Sequence, residues 1–259
     1  MSSYQKIDQF SITGTIVLLS GTRIGGSDDQ LKIGGVDLTC IKNPVTGQPY
    51  IPGTSLKGKM RSEMERMLDL CGSNGDPYRS GDTYPYQCTP SQYLVAVVFG
   101  PHMSAKHQFG PSRLIVRDAS LISGGDIEIK SENIINRNNN TAQHPRQLER
   151  VCPGAQFALA MEIQVFQMDH DYGQDDYPNK GDKARCVYAI EPGDTPARGA
   201  DALKLFVADA IDQLIATGIG SGTGKGYGRI RIDNLQCVRR PRKGPTATLL
   251  TSAPAEANP

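Results

Sequence analysis

The run Ala200 to Thr217 constrains this chain most. Leu203, Phe206, Val207, Ala210, Ile211, Leu214 and Ile215 recur at helical spacing on one face, and Gly218 follows as a C-terminal stop. A helix with so wide an apolar stripe must lie on another apolar layer. The chain supplies one. After a glycine-rich loop, Gly228 to Cys237 opens with the alternation Arg229, Ile230, Arg231, Ile232 and reads as a strand. Phe10 to Ser20 alternates Ile12, Gly14, Ile16 and Leu18 with polar or small neighbours and reads as the first strand. Arg113 to Ile122 and Ala155 to Phe166 carry the β-branched and aromatic content of two more. Between the first two strands, Leu56, Met60, Met64, Met67 and Leu68 trace one face of a helix over Ser55 to Leu70, with Thr54 or Ser55 as its cap. The order β-α-β-β-α-β predicts an α+β fold with a single ferredoxin-like domain.

That domain accounts for residues 1–240 with insertions at about 21–50, 71–111, 124–153 and 169–198, and long loops in a compact domain are usually functional or disordered. Residues 241–259, rich in Pro, Ala and Thr, read as a disordered tail. The formal charge is only +1, so the overall field gives no general attraction to phosphate or to a membrane, and any nucleic-acid site must come from local arrangement. Six cysteines are scattered without a CxxC pair, and the N-terminus lacks a basic-then-apolar leader. Reduced thiols in a cytoplasmic protein are expected. No apolar run approaches the roughly 20 residues of a membrane-spanning helix.

Two glycine-bearing segments carry candidate chemistry. Ile51 to Arg61 turns into a helix whose first turns hold Ser55, Lys57, Lys59 and Arg61, and free amides beside cations make a phosphate site. The same letters satisfy GxxxxGK, but Met60 stands where a nucleotide hydrolase needs Ser or Thr for magnesium, so that activity is excluded. A capped surface helix with solvated lysines is the plainer alternative. The second segment, Gly218 to Arg229, places glycine on every even position from Gly220 to Gly228, with Lys225 and Arg229 for charge, so a nucleic-acid backbone can approach closely. It follows a helix and precedes a strand, the reverse of a dinucleotide-binding turn. A flexible connection is the alternative there.

Asp28, Asp29 and Asp37 share a glycine-flanked loop, and one carboxylate there can bind a divalent ion or orient a ribose hydroxyl beside a phosphate. Four histidines without an HExxH motif leave zinc hydrolase chemistry unsupported. Cys71, Cys88, His102 and His107 fall in one insertion and are candidates for a structural zinc, with ordinary thiols as the alternative reading. Aromatic residues make up 6% of the chain, which argues against a sheet that stacks bases on rings.

Four blocks together resemble the repeat-associated mysterious protein superfamily of CRISPR effectors, nearest to the repeating backbone subunits of type III-A Csm complexes and their type III-D relatives. They are Gly25-Gly-Ser-Asp with Gly34-Gly-Val-Asp37; Ile51 to Arg61; Phe99-Gly100 with Arg113 to Ala119; and Glu132-Asn133 with Pro145 to Arg150, closed by Gly222 to Gly228. The resemblance implies copies stacked along a guide RNA (crRNA) with other type III subunits. Arg23, Ser55, Lys57, Lys59, Arg61 and the loop Gly222, Gly224, Lys225, Gly226 and Tyr227 would hold the guide. Residues from Glu132 to Arg146, with Asn133, Arg137 and Arg146 on RNA, would form a thumb hairpin that interrupts the guide-target duplex and flips out a base. Asp37 would promote cleavage of the target RNA with a divalent cation, Mg2+ or Mn2+. The insertions at 71–111 and 169–198 depart from the simplest members. Two alternatives remain open within the same resemblance: a scaffold that holds guide without cutting, and an endonuclease that processes the guide precursor.

Overall fold

The computed structural model describes residues 4–25, 36, 38–71, 90–101, 111–136, 138–170, 186–189 and 195–240. Its strands are β1 (Lys6–Leu18), β2 (Leu114–Val116), β3 (Leu121–Ser123), β4 (Ile127–Ile135), β5 (Ala142–Val151), β6 (Gln156–Phe166), β7 (Val187–Tyr188), β8 (Ala197–Arg198) and β9 (Ile230–Arg239). Its helices are α1 (Gly53–Met67), α2 (Pro90–Phe99), α3 (Gln167–His170) and α4 (Ala200–Thr217). The main sheet runs β2-β6-β1-β9 with every neighbour antiparallel, and β3 also pairs with β6.

Alternation sends one side of this sheet into the core. Phe10, Ile12, Ile16 and Leu18 of β1 and Phe157, Leu159, Met161, Ile163 and Val165 of β6 are buried. Leu56, Met60 and Met64 of α1 and Leu203, Phe206, Val207, Ala210, Ile211 and Leu214 of α4 join the same core, as their spacing predicts. Each such side chain contributes roughly 1.5–3 kcal/mol through removal from water. Met67, expected on the inner face, is 42% exposed, because α1 ends there and the chain reverses through Asp69 at φ 54°.

The stretch 71–111, expected as an insertion, contains α2. Leu94, Val95, Ala96, Val97, Val98 and Phe99 are all buried, with Phe99 and Phe206 ring centroids 6.1 Å apart. Over these six residues the helix is enclosed on every side, so that part has no polar face and no amphipathic period to reveal it.

The strand expected over Arg113 to Ile122 is broken in two. Ala119 leaves β6 and exchanges backbone hydrogen bonds with Ile51, at 3.0 and 2.8 Å. That excursion brings Asp118 to the start of α1, where its Oδ1 accepts from the Gly53 amide at 2.8 Å. The capping expectation is corrected here: no side chain at the helix's own N-cap, Pro52, supplies the bond, and Asp118 supplies it from across the fold. A Cβ on Gly53 would sit 2.5 Å from the Val116 carbonyl oxygen, so the approach that delivers Asp118 requires glycine.

Asp169, expected to open a polar excursion, lies in the interior. Its carboxylate receives Arg113 Nη2 at 2.6 Å and Nε at 3.1 Å, accepts from the Phe166 amide at 2.8 Å, and neither charged side chain is more than 1% exposed. Such a pair persists because both charges are saturated with partners. Among the described residues, no helix is long and apolar enough to cross a membrane.

Candidate nucleic-acid interface

Gly218 to Arg229 forms a defined structure rather than a slack connection. Ile219 N–H donates to Gly228 O at 2.9 Å, Ser221 N–H to Arg23 O at 2.9 Å, and Gly228 N–H to Gly21 O at 3.2 Å. A single 3-10 turn, Thr223–Lys225, stands between Gly222 and Gly226, both in the left-handed region. At Gly228 a Cβ would fall 1.9 Å from Ile219 O, so this glycine serves the loop's own closure. Gly224 and Gly226 differ: nothing lies within 4 Å of where their Cβ atoms would be. The loop therefore has a sealed base and an open crest.

The hairpin β4–β5, inside the stretch 124–153, docks on that loop. Tyr227 is buried, with Lys130 Nζ 4.4 Å and Arg150 Cζ 5.4 Å from its ring centroid. The Tyr227 hydroxyl donates to Glu132 Oε1 and accepts from Lys130 Nζ. Glu132 Oε2 also meets Arg146 Nη2 at 3.1 Å and Lys225 Nζ at 3.7 Å. The Tyr227 hydroxyl, followed by Arg146 and Lys225, holds the Glu132 carboxyl below its ordinary value, against a smaller opposing effect of burial.

The opposite flank of the hairpin is gripped by Thr22 and by residues 38–42. Thr22 and Val151 exchange amide bonds at 2.8 and 3.0 Å, and Glu149 N–H donates to Leu38 O at 2.8 Å. Glu149 accepts from the Cys40 amide at 3.0 Å and pairs with Lys42 at 3.1 Å. Burial and the Glu149 carboxylate push the Cys40 thiol up to about 11, so it stays protonated and unreactive.

Five cations, Arg23, Lys130, Arg146, Arg150 and Lys225, thus stand along the seam of hairpin and glycine loop, three of them paired with Glu128 or Glu132. Arg23 Nη1 reaches Ser221 Oγ at 3.3 Å, while the Nε atoms of Arg23 and Arg146 have no partner among the described residues. Lys225 is 61% exposed beside the open crest. Together they suit an anionic backbone.

The cations of the Ser55 to Arg61 segment have protein partners of their own. Lys57 Nζ donates to Leu114 O at 2.7 Å and Ser112 Oγ at 3.2 Å, and burial followed by Arg61 lowers its proton affinity. Lys59 pairs with Glu63 at 2.6 Å, and Arg61 with Glu65 at 2.9 Å and Gly100 O at 2.8 Å. Ser55 is exposed, and nothing lies within 4 Å of a Cβ at Gly58. Asn133 is exposed on the hairpin. Asp28, Asp29, Asp37, Arg137, Cys88, His102 and His107 lie outside the described residues; Cys71 is half-buried.

Sequence reading passed over Lys130, Arg150 and Glu149. The charge alternation of Glu128, Lys130 and Glu132 was visible, but which loop it would face was not. The outer face of the main sheet carries Ser11, Thr13, Thr15, Ala158, Ala160 and Glu162 at paired positions, which gives bases no ring to stack on.

A family model described as the RAMP superfamily matches residues 15–231. The Mycobacterium tuberculosis protein named CRISPR system Cms endoribonuclease Csm3 is 32% identical over 250 residues, which cover 91% of this chain and 89% of that protein. The Methanothermobacter thermautotrophicus protein of the same name is 34% identical over 257 residues, covering 90% and 86%. Among solved structures, a Csm3-Csm4 subcomplex of the type III-A CRISPR-Cas interference complex matches with a TM-score of 0.50 at 21% identity, covering 92% of this chain and 82% of that one, a likeness of fold alone. A family match over most of the length, joined to relatives of this identity along nearly their whole chains, makes this chain a member of the RAMP superfamily, of the type III CRISPR Csm3 kind.

Proposed function

We propose that this chain is a backbone subunit of a cytoplasmic type III CRISPR complex that holds guide RNA and cuts the complementary target RNA. One observation carries the reading: the glycine loop, the hairpin base and Leu38 are hydrogen-bonded together beside a row of cations. The strand order β2-β6-β1-β9 with α1 and α4 supports a ferredoxin-like core beneath it. The open crest at Gly224 and Gly226, with Lys225 and Arg23 beside it, receives guide phosphates, while base pairing reads the target. The β4–β5 hairpin serves as the thumb, and unstacking at its tip releases one target nucleotide from helical geometry. Stacked copies and other type III subunits repeat the arrangement along the guide.

Asp37 is the proposed base. Its neighbour Leu38 is hydrogen-bonded to β5 at Glu149, three residues from the Arg146 that meets Glu132. The target's 2′-hydroxyl gives its proton to this carboxylate and attacks the adjacent phosphorus in line. The bond to the 5′-oxygen breaks, leaving a 2′,3′-cyclic phosphate and, once protonated, a 5′-hydroxyl. A divalent cation, Mg2+ or Mn2+, when bound supplies positive charge beside that phosphate. Among the described residues, no three His, Cys, Asp or Glu side chains are grouped to hold one.

The test is cleavage of a labelled guide-complementary RNA by the assembled complex, with Mg2+ or with EDTA, comparing native Asp37 with Asp37→Ala. Regularly spaced cuts that vanish in the variant while target binding persists support the reading. Binding without cuts in either complex makes the subunit a scaffold, and loss of assembly in the variant makes Asp37 structural.

A further inference from the structure

The hairpin is held at its base on two flanks, by Thr22, Leu38, Cys40 and Lys42 on one and by the glycine loop on the other. Lys130 and Glu132 of β4 and Arg146 of β5 meet Tyr227 and Lys225. Beyond Glu132 and Arg146 the described bonds run within the hairpin itself, as in Asn136 N–H to Thr141 O at 2.9 Å. Ile135, Asn138, Asn139 and Asn140 are exposed. Among the described residues, Glu132 and Arg146 are therefore the outermost points at which the projecting arm is held.

We propose that the Glu132 carboxylate and the Tyr227 hydroxyl are the pivot that sets at which phosphate the target RNA is cut, an inference that rests on the hairpin acting as the thumb. The lever arm makes the outermost contact decisive. From Glu132 to the strand's last residue, Ile135, the chain rises about 10 Å at roughly 3.3 Å per residue, so a swing of about 20° at the pivot moves that end by about 3.5 Å. A displacement of that size is comparable to the spacing between stacked bases, about 3.4 Å.

Both partners suit this role. Tyr227 sits in the loop that carries the guide-binding crest, while Glu132 belongs to the arm that marks the target, so their bond ties the marker to the reader. Lys130 and Arg150 both lie against the ring, which is buried and so holds the hydroxyl on Glu132. Glu132 also collects Arg146 and Lys225 on its second oxygen, so its carboxylate is held by partners from the facing strand of the hairpin and from the loop. In this reading Glu132 and Tyr227 are positioning residues, since neither touches the reacting atoms.

The experiment compares assembled guide complexes carrying native subunits, Tyr227→Phe, Glu132→Ala or Glu132→Gln. Cut positions are mapped at single-nucleotide resolution per bound target, and the reactivity of bound target bases toward dimethyl sulfate is read in parallel. Tyr227→Phe removes one oxygen and keeps the ring against its cations, so it tests the bond without emptying the site. The expected result is that Tyr227→Phe and Glu132→Ala spread each cut over neighbouring phosphates and spread the reactive bases likewise. Glu132→Gln retains an acceptor for the tyrosine hydroxyl and keeps the native position dominant. Native patterns in both Tyr227→Phe and Glu132→Ala overturn the pivot, as does a Glu132→Gln complex as scattered as Glu132→Ala. A native complex with neither cuts nor regularly spaced reactive bases overturns instead the thumb reading on which the pivot rests.

Discussion

The backbone amide of Gly53 donates to Oδ1 of Asp118 at 2.8 Å, across 65 residues of sequence. The positive end of α1 is thus met by a carboxylate of the protein itself. A helix start that looked open to phosphate in the sequence has one amide already satisfied, and Lys57 beside it is turned onto the β2 edge at Leu114. This corner joins α1 to the sheet, whereas the exposed cation Lys225 lies at the glycine loop.

Asp118→Ala is expected to destabilise the fold by about 1 kcal/mol, the usual loss on removing a helix cap. Gly53→Ala is expected to cost more, about 1–3 kcal/mol, since its methyl meets the Val116 carbonyl and the backbone must shift. Urea denaturation midpoints of the two variants against the native chain check both.

Removing one partner of the Arg113–Asp169 pair, as in Asp169→Ala, is expected to cost about 3–5 kcal/mol because it leaves a buried guanidinium uncompensated. Replacing both, Arg113→Met with Asp169→Leu, is expected to recover a large part of that loss. A double-mutant cycle by thermal or chemical denaturation measures the coupling.

Glu132 titrates below its ordinary 4.5 in the folded chain, chiefly because of the Tyr227 hydroxyl. Its contribution to folded-state stability is therefore fully present above 4.5 and is lost as pH falls through the depressed folded value. In Tyr227→Phe the midpoint is expected to climb toward 4.5. The carboxyl carbon shift of Glu132, followed by NMR through an acid titration, reports it, and an unmoved midpoint would count against the hydroxyl as the main cause.

Guide affinity as a function of salt separates the two cationic regions. Lys225→Ala is expected to reduce the slope of log K against log salt by about 0.7, the value for one lost phosphate contact on a single strand. Lys57→Met, which removes an inward-turned ammonium, is expected to leave that slope in place while lowering the denaturation midpoint. Filter binding across a salt series, alongside denaturation of the same variants, checks the contrast.

Local pattern alone determined a good deal of this molecule. The period of α4, closed by Gly218, placed its ends correctly, and the alternation in β1 marked which of its side chains enter the core, because burial on one face of a regular element leaves a regular trace. The four blocks of motif letters likewise carried the family. Tertiary structure decided the rest, where no such trace exists. The buried stretch Leu94–Phe99 of α2 has no polar face and so no period, and Arg113–Ile122 broke in two because Ala119 found a partner at Ile51. Asp169 reads as polar surface until Arg113 neutralises it in the interior. Glu132 and Tyr227 stand 95 residues apart, and only the hairpin's docking on the glycine loop brings their oxygens together. Such pairings depend on where whole elements are packed, and side-chain period encodes which face is buried but not which distant charge that face will meet.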